Sequence, residues 1–399
     1  MMIIGIPKET RSDESRVAAV PDTVKKLIAM GFSVAVEKGA GDGALIPDAA
    51  YEAVGASLVT TAKALSADLV FKVRPPSQDE IDNMSSGATI ISLMEPYSDT
   101  DTGAMLNAAG ISGYALELVP RITRAQSMDV LSSQANLAGY RAVLEAGSIF
   151  SRAFPMMMTA AGTVPPAKVL VMGAGVAGLQ AIATAKRLGA VVSATDVRPA
   201  VKEQVESLGG KFVAVEDDEF KAAETSGGYA KEMSDAYKAK QAQLIADTIK
   251  TQDIIITTAL IPGRPAPVLV TEDMVKSMKP GSVIVDLAVE QGGNCPLSEP
   301  GQVVVKHDVT LVGYTNIAGR LAEVASSLYA KNVINFLANL WDEESKSLKT
   351  DSDDEIITSS LITKPAQAST NKASTEKAST KKASTEKAST KKEGDKDGK

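Results

Sequence analysis

Three glycines and one acid pose the first chemical question. Gly173, Gly175 and Gly178 follow an apolar run, Val169 to Met172, and lead into Leu179 to Leu188, which is rich in helix formers; a second apolar run, Val191 to Thr195, ends at Asp196. Strand, glycine turn, helix, strand, acid is an arrangement that holds a phosphate ester on backbone alone. Gly173 permits the tight exit from the strand, Gly175 lets backbone approach a pyrophosphate with no Cβ in the way, and Gly178 lets helix and strand pack closely. The helix N-terminus then presents free N–H groups and the positive end of its dipole. Asp196 stands near the tip of the second strand, where a carboxylate can accept both hydroxyls of an adenosine ribose. It would repel a 2′-phosphate, which favours NAD(H) over NADP(H), while Arg198, two residues on, is of the type that holds that phosphate.

Other residues could do chemistry. Gln126, Asp129 and Ser132, with Arg121 before them, are spaced so that a helix start puts the three on one face, a pattern equally suited to a solvated helix end. Thr225 to Tyr229 contains Gly227-Gly228 between charged flanks and suits either a mobile lid or an ordinary loop. Gly39 to Gly43 lacks a following Lys-Ser/Thr and reads as a plain loop. Cys295 has no local Cys or His with which to hold a metal, and His307, the one histidine of the chain, adjoins a predicted strand, where a structural role is expected. No metal site is expected.

The elements that must position these groups follow from patterning. The chain has 399 residues, a net charge of −7 and a single cysteine, which argues against nucleic-acid binding and excludes an internal disulfide. No uninterrupted apolar run is long enough to span a membrane, and the N-terminus lacks a signal peptide's apolar core. Strands are predicted at Met2–Ile6, Ser33–Glu37, Leu69–Val73, Thr89–Leu93 and Ser112–Leu116, with helices Thr23–Met30 and Thr102–Ala109 among those between them. A long helix is predicted through the 130s and 140s, capped at or near Ser127. After the dinucleotide unit come strands at Lys211–Val215, Asp253–Thr257 and Ser282–Leu287, helices at Pro199–Leu208 and Glu232–Ile249, and an amphipathic helix from about Arg320 to Leu340. The fold class is α/β, two doubly wound Rossmann-like domains with parallel sheets. The N-terminal domain is expected to be discontinuous, 1–135 plus about 320–360, with the dinucleotide domain at 136–319. From 365 to 399 AST recurs among Lys and Glu, a repeat with no side chains to build a core, and is expected to be a disordered tail.

Several stretches, among them GIPKETRSDESRVAAVP (5–21), RITRAQSMDVLSSQANLAGYRAV (121–143), FPMMMTAAGTVPPAKVLVMGAGVAGLQ (154–180), ETSGGYAKEM (224–233) and TTALIPGRPAP (257–267), closely resemble the NAD(H)-binding component of proton-translocating nicotinamide nucleotide transhydrogenase. The first and last also resemble alanine dehydrogenase. The transhydrogenase resemblance implies a homodimer on the cytoplasmic face of the inner membrane, with the membrane-spanning second portion of subunit alpha and an NADP(H)-binding beta subunit on separate chains. It implies that Arg121, Gln126 and Asp129 meet the nicotinamide, with Ser127, Met128 and Ser132 beside them. Gly228 and Tyr229 would form the lid, and Val176, Asp196, Val197 and Arg198 the adenosine side. The alanine dehydrogenase family uses a His just after the strand where this chain has Ser92-Leu93-Met94-Glu95-Pro96, and that His is absent. Arg16 and Lys72 or Arg74 remain as possible anion holders. Hydride exchange between two nicotinamides needs orientation and water exclusion but no acid or base. Two rival readings stand beside it: an alanine dehydrogenase-like enzyme and a non-catalytic NAD(H)-sensing subunit.

Overall fold

The computed structural model describes residues 1–98, 101–221, 233–261, 263–350 and 352–363. Gly228, Tyr229 and the AST-repeat segment lie outside them. In the first half, β1 (Ile3–Ile6), β2 (Ser33–Glu37), β3 (Ser57–Val59), β4 (Leu69–Phe71), β5 (Thr89–Ser92) and β6 (Ser112–Ala115) form one sheet of order β3-β2-β1-β4-β5-β6. These strands pair in parallel throughout. Helices cover such a sheet on both faces, so its inner strands carry continuous apolar runs rather than alternating ones. β3 was not among the expected strands: it is a three-residue edge strand with partly exposed side chains, too short for a periodic signal.

An antiparallel hairpin, β7 (Met157–Thr159) and β8 (Gly162–Val164), pairs with neither sheet among the described residues. The second sheet follows with β9 (Lys168–Met172), β10 (Val191–Thr195), β11 (Lys211–Phe212), β12 (Ile254–Thr257), β13 (Val283–Asp286), β14 (Val303–Lys306) and β15 (Val309–Val312). Its order is β11-β10-β9-β12-β13-β15-β14. These strands also pair in parallel, except β14 with β15. The antiparallel edge departs from the all-parallel expectation because His307 and Asp308 both take positive φ and close a tight turn, returning the chain beside itself without a crossover.

The helix Val130–Ile149 bridges the two sheets. Its cap is Asp129, whose carboxylate accepts from Ser132 N at 2.8 Å; Ser127 stays in the preceding 3₁₀ segment Thr123–Met128, two residues short of the cap. Val130 is buried with the first sheet's core, whereas Ala142, Val143 and Ala146 are buried with the second. The helix Ala322–Leu340 returns to the first core with Tyr329, Val333, Phe336 and Leu337. Phe32 packs on Trp341 and Tyr114 on Phe336, ring centroids 4.5 and 5.6 Å apart. The Tyr329 hydroxyl donates to the Lys72 carbonyl at 2.6 Å. Each such side chain contributes on the order of 1.5–3 kcal/mol when removed from water, which is why a segment so distant in sequence docks back on the first sheet.

Candidate functional site

The glycine turn has the geometry its residues demand. Gly173 has φ +100°, a conformation that side-chain-bearing residues rarely adopt, and a Cβ on Gly178 would lie 1.8 Å from the Gly173 carbonyl oxygen. Around Gly175 a Cβ would meet nothing within 4 Å, so the position opens onto free space. Gly175 is also the N-cap of the helix Val176–Arg187 and has no side chain to occupy its first-turn N–H groups. Open space, a bare backbone and an uncapped helix start fit a pyrophosphate. Thr258, just past β12, donates from its hydroxyl to the Gly173 carbonyl at 2.9 Å and braces the turn from the neighbouring strand.

Asp196 is engaged within the chain. Its Oδ2 accepts from Ala174 N at 2.7 Å, and Arg198 forks onto both carboxylate oxygens through Nε and a terminal nitrogen, each at 2.9 Å. The Asp196 side chain is 6% exposed and that of Arg198 34%. Burial pushes the Asp196 carboxyl up, but hydrogen bonds from Arg198 and Ala174 outweigh it and hold the group below its ordinary value. The two residues that sequence reasoning set against each other are therefore an ion pair, and Arg198 forms its solvent side.

A cleft of about 590 Å³ runs between the two sheets. Arg121, Gln126, Asp129 and Ser132 line one side, and Gly175, Val176 and Arg198 the other. The structure thus brings together seven of the residues singled out in the sequence, from segments that no local pattern connects. Asp129 does more than face the cleft: its second oxygen accepts from the Ser132 hydroxyl at 2.6 Å. Other expected contacts are differently placed. Met128 is buried in the first core, and the Ser127 carbonyl is held by Asn332 and Asn335 at 2.8 and 3.0 Å. Val197 is exposed beside the Asp196–Arg198 pair, while Gly173 and Gly178 support the turn from behind. Ala135, Ala138, Ala177, Thr258, Leu260 and Leu287 also line the cleft. Small residues three apart at 135 and 138 were a legible sign of close helix packing; Leu260 and Leu287 carried no signal.

The suspected anion holders are already neutralised. Arg16 pairs with Glu14 at 2.6 Å and donates to Gln134 at 2.8 Å; Lys72 pairs with Glu80 and Glu9 at 2.8 and 3.3 Å. Arg74 meets Glu14, Glu95 and Glu290 at 2.8, 3.2 and 3.8 Å, the last reaching across from the second sheet. Burial raises the Glu14 carboxyl, yet the hydrogen bonds and charge of Arg16 with the charge of Arg74 bring it down to about 2. Met94 is fully buried where the related dehydrogenases are expected to carry a His. His307 lies on the β14–β15 turn, 2.9 Å from Glu272, and Cys295 is buried with burial pushing its thiol up. The Gly39 N–H is taken by Asp48 at 2.8 Å, which makes that glycine-rich stretch a structural turn.

Comparison with known proteins agrees with this geometry. The family model described as alanine dehydrogenase/PNT, N-terminal domain, matches residues 5–138, and the one described as alanine dehydrogenase/PNT, C-terminal domain, matches 142–371. The first portion of NAD(P) transhydrogenase subunit alpha from Rhodospirillum rubrum, a separate chain there, is 58% identical over 370 residues, covering 91% of this chain and 96% of that protein. The solved structure of a transhydrogenase from Sinorhizobium meliloti superposes with a TM-score of 0.84 at 55% identity, covering 91% of this chain and 99% of the other. An alanine dehydrogenase from Methanococcus maripaludis is 33% identical over 298 residues, 73% of this chain and 74% of that one.

Proposed function

The chain belongs to the alanine dehydrogenase/PNT family, and from that membership we propose that it is the NAD(H)-binding subunit of a proton-translocating transhydrogenase. It exchanges hydride with NADP(H) held by a partner subunit. The observation that carries this reading is the cleft in which Arg121, Gln126, Asp129 and Ser132 face Gly175, Val176 and Arg198. A bound nicotinamide supplies or accepts the hydride. The chain's role is orientation: the glycine turn and helix N-terminus hold the pyrophosphate, and Arg121, Gln126 and Asp129 fix the carboxamide and ribose. Asp196, Val197 and Arg198 form the adenosine side. The Asp196–Arg198 pair supports NAD(H), because the guanidinium that could take a 2′-phosphate already serves a carboxylate. No group in the cleft has to move a proton, since NADH plus NADP⁺ yields NAD⁺ plus NADPH with none released. Gly228 and Tyr229 are proposed as the lid on the grounds of resemblance alone.

The division into lobes is proposed as 1–135 with about 320–360, and 136–319; the shared helix Val130–Ile149 supports a hinge at that boundary. The partners are the membrane-spanning second portion of subunit alpha and the NADP(H)-binding beta subunit, placing this chain at the cytoplasmic face of the inner membrane. Among the described residues no helix is long and apolar enough to cross a membrane. A homodimer is supported by the β7–β8 hairpin, which bares Met156 and Met158 at 60% and 82% exposure, since an isolated two-stranded hairpin is marginally stable in water.

The test is a hydride-transfer assay of the purified chain with NADH and an oxidised NADP⁺ analogue, with and without the NADP(H)-binding partner, beside an alanine and pyruvate control. Transfer only in the mixture is expected. Turnover of alanine by the chain alone would restore the dehydrogenase reading, and NADH binding without transfer in the mixture would leave a sensing subunit.

A further inference from the structure

The 3₁₀ segment Thr123–Met128 carries Gln126 to the cleft and ends against Asp129. Six residues of this kind have few internal hydrogen bonds, so their orientation depends on what grips them. From inside, Ala125 and Met128 sit in the first core. From the side, Asn332 and Asn335 hold the Ser127 carbonyl. The third grip comes from far along the chain: Arg124 forks onto Asp354, its two terminal nitrogens 2.7 and 2.6 Å from the two carboxylate oxygens.

Asp354 is itself a fixed point. It caps the helix Glu355–Ser360 by accepting from Ile356 N at 2.8 Å, and Ile356 and Ile357 are buried in the first core. Past that helix the chain lies along β6. Leu361 bridges to Tyr114, Ile362 N donates to the Gly113 carbonyl at 3.0 Å, and Gly113 N donates to the Thr363 hydroxyl at 3.0 Å. The C-terminal segment is thus seated on the sheet edge, with Asp354 turned toward the cleft-lining loop.

Neither Arg124 nor Asp354 lines the cleft, and Arg124 is half exposed. An exposed ion pair contributes about 0–1 kcal/mol to stability, so stability is a poor reason for a bidentate pair at this spot. A planar fork on a carboxylate defines direction as well as distance. We propose that Arg124 and Asp354 are positioning residues that lock the Thr123–Met128 segment, making the C-terminal segment a member of the machinery that orients the nicotinamide end of the site. The role rests on the transhydrogenase reading, and it concerns orientation rather than adenosine-end affinity, because the glycine turn and the Asp196–Arg198 pair are held independently.

The test compares Arg124→Ala, Arg124→Lys, Asp354→Asn and the Arg124→Ala/Asp354→Asn double variant in the full chain. Asn at 354 keeps a capping oxygen but loses the charged fork. Hydride transfer with the partner is expected to fall about tenfold or more in each, because misplacement by about an ångström at a reacting centre carries losses of that order. The Kd for ADP, a probe of the adenosine end, should stay within about twofold, and Lys should not rescue. The double variant should be no worse than either single, the signature of one shared interaction. Amide hydrogen exchange across 123–129 should quicken in all four variants and stay unchanged in the β9–β10 unit. Unchanged exchange in that segment, wild-type transfer by Arg124→Ala, or losses that multiply in the double variant would each overturn the clamp. Failure of the wild-type chain to transfer hydride would overturn the transhydrogenase reading instead, with the exchange experiment still deciding the clamp.

Discussion

At the scale of single residues, paired charge organises the inter-sheet cleft. Glu14 is the central case: its side chain is fully buried between Arg16 and Arg74, and its carboxyl lies near 2 instead of 4.5. A carboxyl held below its unfolded value stabilises the fold above about pH 4.5 and loses that contribution as pH falls toward 2. The difference is worth on the order of 3 kcal/mol. Glu14→Gln should therefore be less stable at pH 7 by about that amount or more, since it strands two guanidiniums. Its urea midpoint should also change less than that of the native chain between about pH 4.5 and about pH 2.5. Parallel midpoint curves for the two proteins would contradict the assignment. Sequence reasoning correctly picked Arg16, Lys72 and Arg74 as cations near the site, but Glu9, Glu14, Glu80, Glu95 and Glu290 could be matched to them only once the strands were in place.

At the scale of elements, the closest approach in the site is helix on helix. A Cβ on Gly139, midway along Val130–Ile149, would stand 2.0 Å from the Ala177 carbonyl oxygen in the first turn of Val176–Arg187. Glycine there costs about 1 kcal/mol in helix propensity, which the close crossing must offset. That crossing is what brings Asp129 and Ser132, one end of the long helix, within the same cleft as the glycine turn. Gly139→Ala should destabilise by about 1–3 kcal/mol despite its better propensity, because backbone on the facing helix cannot yield as a side chain can. Chemical denaturation checks this, and a rise in midpoint would show that the helices separate freely. The variant should also weaken NADH binding more than ADP binding, since Val176–Arg187 is pinned to β9 through Gly178 and the longer helix is the one that must shift.

At the scale of the whole molecule, two sheets are joined by a shared helix and a returning helix, and among the described residues the hairpin pairs with neither sheet. If the hairpin seats on a second copy, Met156→Ser/Met158→Ser should shift the sedimenting species from dimer toward monomer at micromolar concentration. A native chain that sediments as a monomer, or a variant that stays dimeric, would remove that role. The dinucleotide unit was readable from residues 168–198 because its constraints are local: an apolar run, glycines where a Cβ would collide or the backbone must turn, a helix, and an acid at a fixed distance along the chain. The same holds for the alternation that marks an α/β fold with two sheets. What tertiary structure alone decided is which distant residues meet. Arg121, Gln126 and Asp129 oppose Gly175 and Arg198, Arg124 finds Asp354, and Arg198 closes on Asp196 rather than competing with it. Such contacts depend on how strands order themselves and on which core a returning helix joins, and that choice is made by the burial of side chains summed over the molecule, which no short stretch of sequence contains.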